Sequence, residues 1–237
     1  MRKVKIFSAP LQGITDARFR LQHHRLYGGI DCYYTPFVRL VQGGLRDKDR
    51  RDILPERNRD VPTVPQVIAK DRDEFAHLCD LLQHLGWNRI DLNMGCPFPM
   101  QYHSGRGSGL LPKPDCVAKI LEEMKRRPEV SFSVKMRLGL TNKSDCLLLL
   151  PLLNESPLTL VTMHPRLGVQ QYRETTDMES FEAFYKGCTR PLVYNGDIKS
   201  IGDISLTIKQ FPLLEAIMIG RGLIEHPQLG KEWVDCS

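Results

Sequence analysis

Eight short apolar runs alternate with segments of helical spacing along the 237 residues, and no other feature constrains the fold as tightly. The runs are Val4–Leu11, Cys32–Leu40, Thr63–Ala69, Arg89–Gly95, Ser131–Leu138, Leu158–His164, Pro191–Asn195 and Ala216–Ile219. Asp71–Leu85 sets Phe75, Leu78, Leu82 and Leu85 on one helical face, and Cys116, Ile120, Leu121 and Met124 repeat that spacing later. Strands separated by helix-length segments can pair in parallel, because a helix is the crossover that parallel neighbours require. The runs are nearly continuous in apolar residues, as in strands covered on both faces. Eight repeats in a chain of this size predict an α/β fold, a (β/α)8 TIM barrel, as a single domain over residues 1–237.

Composition narrows the function classes. A chain this long buries roughly 70–75% of its unfolded surface and needs no disulfide or metal staple. The seven cysteines are odd in number and widely spread, with no C-x-x-C pair, so no metal site is expected and reduced thiols in the cytoplasm are the simplest reading. The start, Met1-Arg2-Lys3-Val4-Lys5, is basic but runs into a strand rather than a long apolar segment, so no signal peptide is expected. The longest apolar stretch, Leu147 to Leu153, is broken by Pro151 and is far short of a membrane span. A formal charge of +5 is compatible with a polyanionic partner without demanding one, and no obligate protein partner is evident.

Barrel enzymes build their sites at the C-terminal ends of the strands. By that rule the polar residues of interest are Gln12, Arg39, Gln66, Asn93 and Cys96, then Lys135, Arg137, His164, Arg166, Asn195, Asp197 and Arg221. Singly, each reads as a satisfied polar group. Jointly, they need more partners than a barrel mouth offers without a ligand. The stretch Asp91-Leu92-Asn93-Met94-Gly95-Cys96-Pro97 runs a strand into a turn that presents one thiol, and this spacing serves a reactive or an inert cysteine equally well. Gly105, Gly107 and Gly109 with Ser108 form a loop whose backbone can approach a ligand closely. Asn195-Gly196-Asp197 and Gly220-Arg221-Gly222 sit where barrels often bind phosphate, although plain strand-to-helix turns use the same residues. The Arg46–Arg51 run, interleaved with Asp47 and Asp49, reads as a solvated charged loop.

Together these segments resemble the tRNA-dihydrouridine synthases, flavin enzymes that reduce uridine in transfer RNA. The resemblance rests on Ala9-Pro10-Leu11-Gln12-Gly13-Ile14-Thr15-Asp16, the Asp91–Pro97 stretch, Gly107-Ser108-Gly109-Leu110-Leu111, Val134-Lys135-Met136-Arg137, Met163-His164-Pro165-Arg166, Asn195-Gly196-Asp197-Ile198 and Met218-Ile219-Gly220-Arg221-Gly222, in that order over nearly the whole chain. It implies FMN in the barrel mouth, reduced by NADPH. Pro10, Leu11 and Gln66 would line the flavin ring, Lys135 and His164 would bond the ring or ribityl chain, and Asn195, Gly196, Asp197, Gly220 and Arg221 would surround the phosphate. Cys96 would act as general acid toward the uracil, which requires a thiol rather than a thiolate. Asn93 and Arg173 would hold the uracil edge of a nucleotide extruded from tRNA.

Three departures from the family pattern stand out. Phe98-Pro99-Met100-Gln101 replaces the basic residues usual after the Gly-Cys-Pro turn, and Pro165 and Leu167 replace the usual Gly and Thr after the strand-six histidine. The family also carries a C-terminal helical domain that grips tRNA, whereas this chain stops at Ser237 soon after the eighth run, so a truncated chain is expected. Other readings remain open at this point. They are an FMN barrel acting on a free pyrimidine or enone, a silent tRNA-binding remnant, and an aldolase-like barrel using Lys135 as a Schiff-base amine.

Overall fold

The computed structural model describes residues 4–236, so the first three residues of the basic N-terminal reading lie outside it. Nine strand segments form one parallel sheet whose two edge segments are Thr63–Val64 and Gln66–Val67. These edges are the two halves of a single strand, interrupted at Pro65, which has no N–H to donate. Bonds continue on both sides of the break: Asp91 N–H reaches the Pro65 carbonyl at 3.0 Å, and Val38 N–H reaches the Gln66 carbonyl at 2.9 Å. The sheet therefore closes into a barrel of eight staves.

In chain order the remaining staves are Lys5–Ser8, Cys32–Tyr34, Arg89–Met94, Ser131–Gly139, Leu158–Leu167, Leu192–Tyr194 and Ala216–Ile219. The first stave pairs with the last through Lys5↔Ala216 to Ser8↔Ile219, and with the second through Phe7↔Cys32. The expected runs thus fall on the eight staves, the first, second, third and seventh being shorter than expected. Leu40 leaves its run to join a two-stranded antiparallel ribbon with Leu45.

The staves are buried on both faces, and successive side chains alternate between two clusters. Ile6, Tyr33, Val161 and Ile217 share the outer cluster with helix residues such as Phe75 and Ile120. Their neighbours Phe7, Tyr34, Leu160 and Met218 belong to the separate cluster inside the barrel. Helix Arg72–His84 shows why the outer layer holds. The Asp71 carboxylate caps it by accepting the Glu74 N–H at 2.9 Å, and Phe75, Leu78, Cys79 and Leu82 are buried against the sheet. Burial of each large side chain there contributes about 1.5–3 kcal/mol.

One expectation needs correction. The Arg46–Arg51 run is not a loop: Asp47–Asp52 is a helix whose Asp47, Lys48, Arg50 and Arg51 are exposed, as expected of a solvated charged segment, while Asp49 is buried with the Arg46 guanidinium bonding it at 2.7 and 2.9 Å. In the glycine loop the close approach is to the chain itself. Residues Gly107–Leu110 form a 3-10 turn packed beneath Cys96. No helix among the described residues is long and apolar enough to cross a membrane.

Candidate active site

A cleft of about 320 Å³ opens at the C-terminal ends of the strands. Pro10, Leu11, Gln66, Asn93 and Cys96 line one part of it, and Lys135, His164, Asn195, Gly196, Asp197, Gly220 and Arg221 line the rest. Arg173 is exposed and lies outside the lining, while its neighbour Tyr172 lines the mouth. Arg137 also lines the cleft.

Cys96 is held from two sides. The Asn93 side-chain oxygen accepts the N–H groups of Gly95 at 3.0 Å and Cys96 at 2.8 Å, tying the turn to the strand it leaves. Ser108 bonds the Cys96 carbonyl from behind, N–H at 3.2 Å and hydroxyl at 2.9 Å. Gly107 makes that approach feasible, since its φ is +58° and an added Cβ would stand 2.7 Å from the Cys96 Cβ. Cys96 is only 5% exposed, and burial pushes its thiol up to about 11, with the nearby Arg137 guanidinium pulling weakly the other way. The group is therefore a thiol throughout the neutral range, a proton donor rather than a resting nucleophile.

Beneath Cys96 runs a chain of buried polar groups that the sequence did not reveal as a unit. The fully buried Asp91 carboxylate accepts the Ser133 hydroxyl at 2.5 Å and the Gln66 amide N–H at 2.7 Å. Gln66 Oε1 in turn accepts the Asn93 amide at 2.8 Å. Asp91 stands two residues before Asn93 on the same strand, so the two-residue period of a strand was the signal that put both on the inner face.

The opposite bank is cationic. Lys135 faces the cleft with no hydrogen-bond or ion-pair partner among the described residues, and burial, aided by Arg137, brings its ammonium down to about 7. Burial also lowers Arg137 to about 10, and its guanidinium donates to the carbonyls of Gly95 and Leu167 at 3.0 and 2.8 Å. His164 is held well below its usual range, first by burial and then by the cations around it. Its Nε2 stands 3.2 Å from the Arg166 guanidinium, which can only donate, so Nε2 is the acceptor and the imidazole is neutral. Arg166 also pairs with Asp197, which pairs with Arg221 at 3.2 Å. Tyr172 lies under both Arg137 and Arg221, their guanidinium carbons 5.5 and 5.2 Å from its ring centre.

An elongated anion fits this lining. The backbone N–H groups of Gly196 and Asp197 find no acceptor among the described residues, and they sit beside Arg221 at the place where barrels hold phosphate. An unpaired ammonium deeper in the same cleft suits a second anionic or strongly accepting group. The apolar wall of Ala9, Pro10, Leu11 and Met218 suits a flat ring between the two.

Comparison with known proteins agrees with this geometry. The tRNA-dihydrouridine(16) synthase of Neisseria meningitidis serogroup B is 29% identical over 240 residues, covering 98% of this chain and 71% of the relative. The tRNA-dihydrouridine synthase B of Pasteurella multocida is 28% identical over 229 residues, covering 96% and 68%. Among solved structures, a variant of NCR from Zymomonas mobilis superposes with a TM-score of 0.68 at 13% identity, covering 98% of this chain and 86% of that one. Morphinone reductase in complex with tetrahydroNAD gives 0.69 at 7% identity with the same coverages, so both likenesses speak for the barrel fold alone. The family model for dihydrouridine synthase matches residues 7–236, and the chain belongs to that family.

Proposed function

We propose that this protein reduces the C5=C6 bond of uridine in tRNA to 5,6-dihydrouridine, with FMN in the cleft and NADPH as the electron donor. The observation that carries the reading is a buried, protonated Cys96 in the same cleft as an unpaired Lys135 and a free pair of backbone donors at Gly196 and Asp197. A flavin held there supplies the hydride.

The chain's own residues do the rest. Pro10, Leu11 and Gln66, which line the cleft, would wall the ring, Lys135 and the neutral His164 would lie on its polar side, and Asn195, Gly196, Asp197, Gly220 and Arg221 would surround the phosphate. Lys135 would hold an anionic acceptor at that depth. Hydride addition at uracil C6 leaves electron density at C5, and the Cys96 S–H donates the proton there, with Arg137 beside the thiolate that forms. One Asn93 amide hydrogen is spent on Gln66, so the other is available to a uracil carbonyl. Arg173, exposed beside Tyr172 outside the cleft lining, would meet the uracil edge as the base enters the mouth. The barrel supplies the chemistry, and the greater length of the relatives is where the resemblance puts the helical tRNA-binding domain. A tRNA substrate and seven widely spread cysteines favour the cytoplasm as the place of work.

The test is to incubate unmodified tRNA with the protein, FMN and NADPH and to weigh the released nucleosides. A uridine heavier by two hydrogens supports the reading. Reduction of free uridine with tRNA left unchanged would replace it with the free-pyrimidine reductase.

A further inference from the structure

We propose that Asp91 is a positioning residue for Cys96, acting through Gln66 and Asn93 as a hydrogen-bond chain that runs in one direction. The backbone N–H groups of Gly95 and Cys96 only donate, so Asn93 must keep Oδ1 for them and offer its NH2 to Gln66 Oε1. Gln66 must then offer its own NH2 to Asp91, whose carboxyl burial pushes up to about 6. Fixed donors at the Cys96 end leave a single orientation for both amides, whatever the charge on Asp91. Gln66 and Asp91 are fully buried, so no solvent can replace a missing link. Ser133 completes the anchor, its hydroxyl 2.5 Å from the other Asp91 oxygen.

Asp91 neither touches the thiol nor lines the cleft itself, yet its loss leaves the Gln66 NH2 buried without an acceptor. Gln66 then turns to find one, Asn93 loses its partner, and the turn carrying Cys96 loosens. Asparagine in place of Asp91 still presents an oxygen to Gln66, and its NH2 can be accepted by Ser133. The chain survives that exchange. The effect on turnover rests on the function proposed above, but the positional role does not, so its test uses neither tRNA nor turnover.

The test is site-resolved alkylation of the whole chain by iodoacetamide, followed by peptide mass spectrometry. It is run on the protein as purified and again after bound small molecules are removed, so that cleft occupancy is not mistaken for loosening of the turn. Cys79 and Cys146, fully buried outside the barrel, report general unfolding in the same sample. Asn93→Ala, which removes the acceptor of both the Gly95 and the Cys96 N–H, should speed Cys96 alkylation roughly five- to tenfold or more. Asp91→Ala should do the same while Cys79 and Cys146 stay slow, Asp91→Asn should stay within roughly twofold of the native rate, and Asp91→Ala added to Asn93→Ala should change nothing further. Rates that multiply in the double variant, a Cys96 rate untouched by Asp91→Ala or Asn93→Ala, or Cys79 and Cys146 rising in step with Cys96 would each overturn the proposal.

Discussion

The Asn93 side-chain oxygen accepts the Cys96 N–H at 2.8 Å, so the end of the fourth strand and the turn that bears the thiol are one mechanical piece. From the other side, Gly107 lies in the left-handed region directly against the Cys96 Cβ. The thiol is thus placed by a strand end and a glycine, neither of which reacts.

Gly107→Ala should therefore damage both stability and chemistry. Its Cβ has no room, and φ +58° strains any L residue. A loss of about 1–3 kcal/mol is expected, read as a fall in Tm of roughly 2–4 °C per kcal/mol for a domain of this size. Dihydrouridine formation should drop with it, and an unchanged Tm would mean that the loop gives way freely.

The thiol's elevated pKa sets a pH signature. An ordinary cysteine alkylates faster with rising pH and levels off above its pKa of about 8.5, as it becomes mostly thiolate. Burial holds Cys96 protonated to about 11, so its alkylation rate should keep rising roughly tenfold per pH unit from 8.5 to 10. A plateau near pH 9 would show an ordinary thiol.

Lys135 should tilt stability with pH. Its folded value near 7 lies below the usual 10.5, so between those values the unfolded chain binds more protons and stability climbs as pH rises. The Tm of the ligand-free protein should increase from pH 6.5 to 9 relative to Lys135→Met, and a bound anion in the cleft should flatten that difference. Identical slopes in the two proteins would contradict it.

Arg166 and Arg221 share the Asp197 carboxylate at different depths, 2% and 48% exposed. Arg166→Met removes a buried guanidinium with its bonds to Asp197, His164 and the Glu174 carbonyl, and should cost about 1–3 kcal/mol. Arg221→Met should cost less than about 1 kcal/mol of stability while weakening FMN roughly tenfold. Thermal melts and flavin titration separate the two, and equal losses of stability would refute the distinction of depth.

Much of this was legible because strand period and turn chemistry are local. The eight runs fall on the eight staves, and most residues taken from strand ends, from Pro10 to Arg221, line one cleft, with Arg39, Arg166 and Arg173 outside the lining. Long-range pairing was not legible. The sequence around Pro65 reads as one strand, and only the closed sheet shows it split between two neighbours. The Asp47–Asp52 helix has no apolar period, being fixed by the Arg46–Asp49 pair and its seat against the barrel. The contact of Gly107 with Cys96 was not legible, because such contacts across a loop leave no mark in spacing. Tyr172 gave no signal beyond its neighbour Arg173, since its place at the mouth depends on two arginines from other strand ends.

The decisive comparison is native protein against Cys96→Ala, with flavin content read from the visible spectrum and dihydrouridine formation followed in the same samples. Cys96→Ala should keep stoichiometric FMN and lose roughly a hundredfold or more in uridine reduction, the usual scale for removing a positioned general acid. Full turnover in Cys96→Ala, with FMN bound, would show that the proton comes from elsewhere.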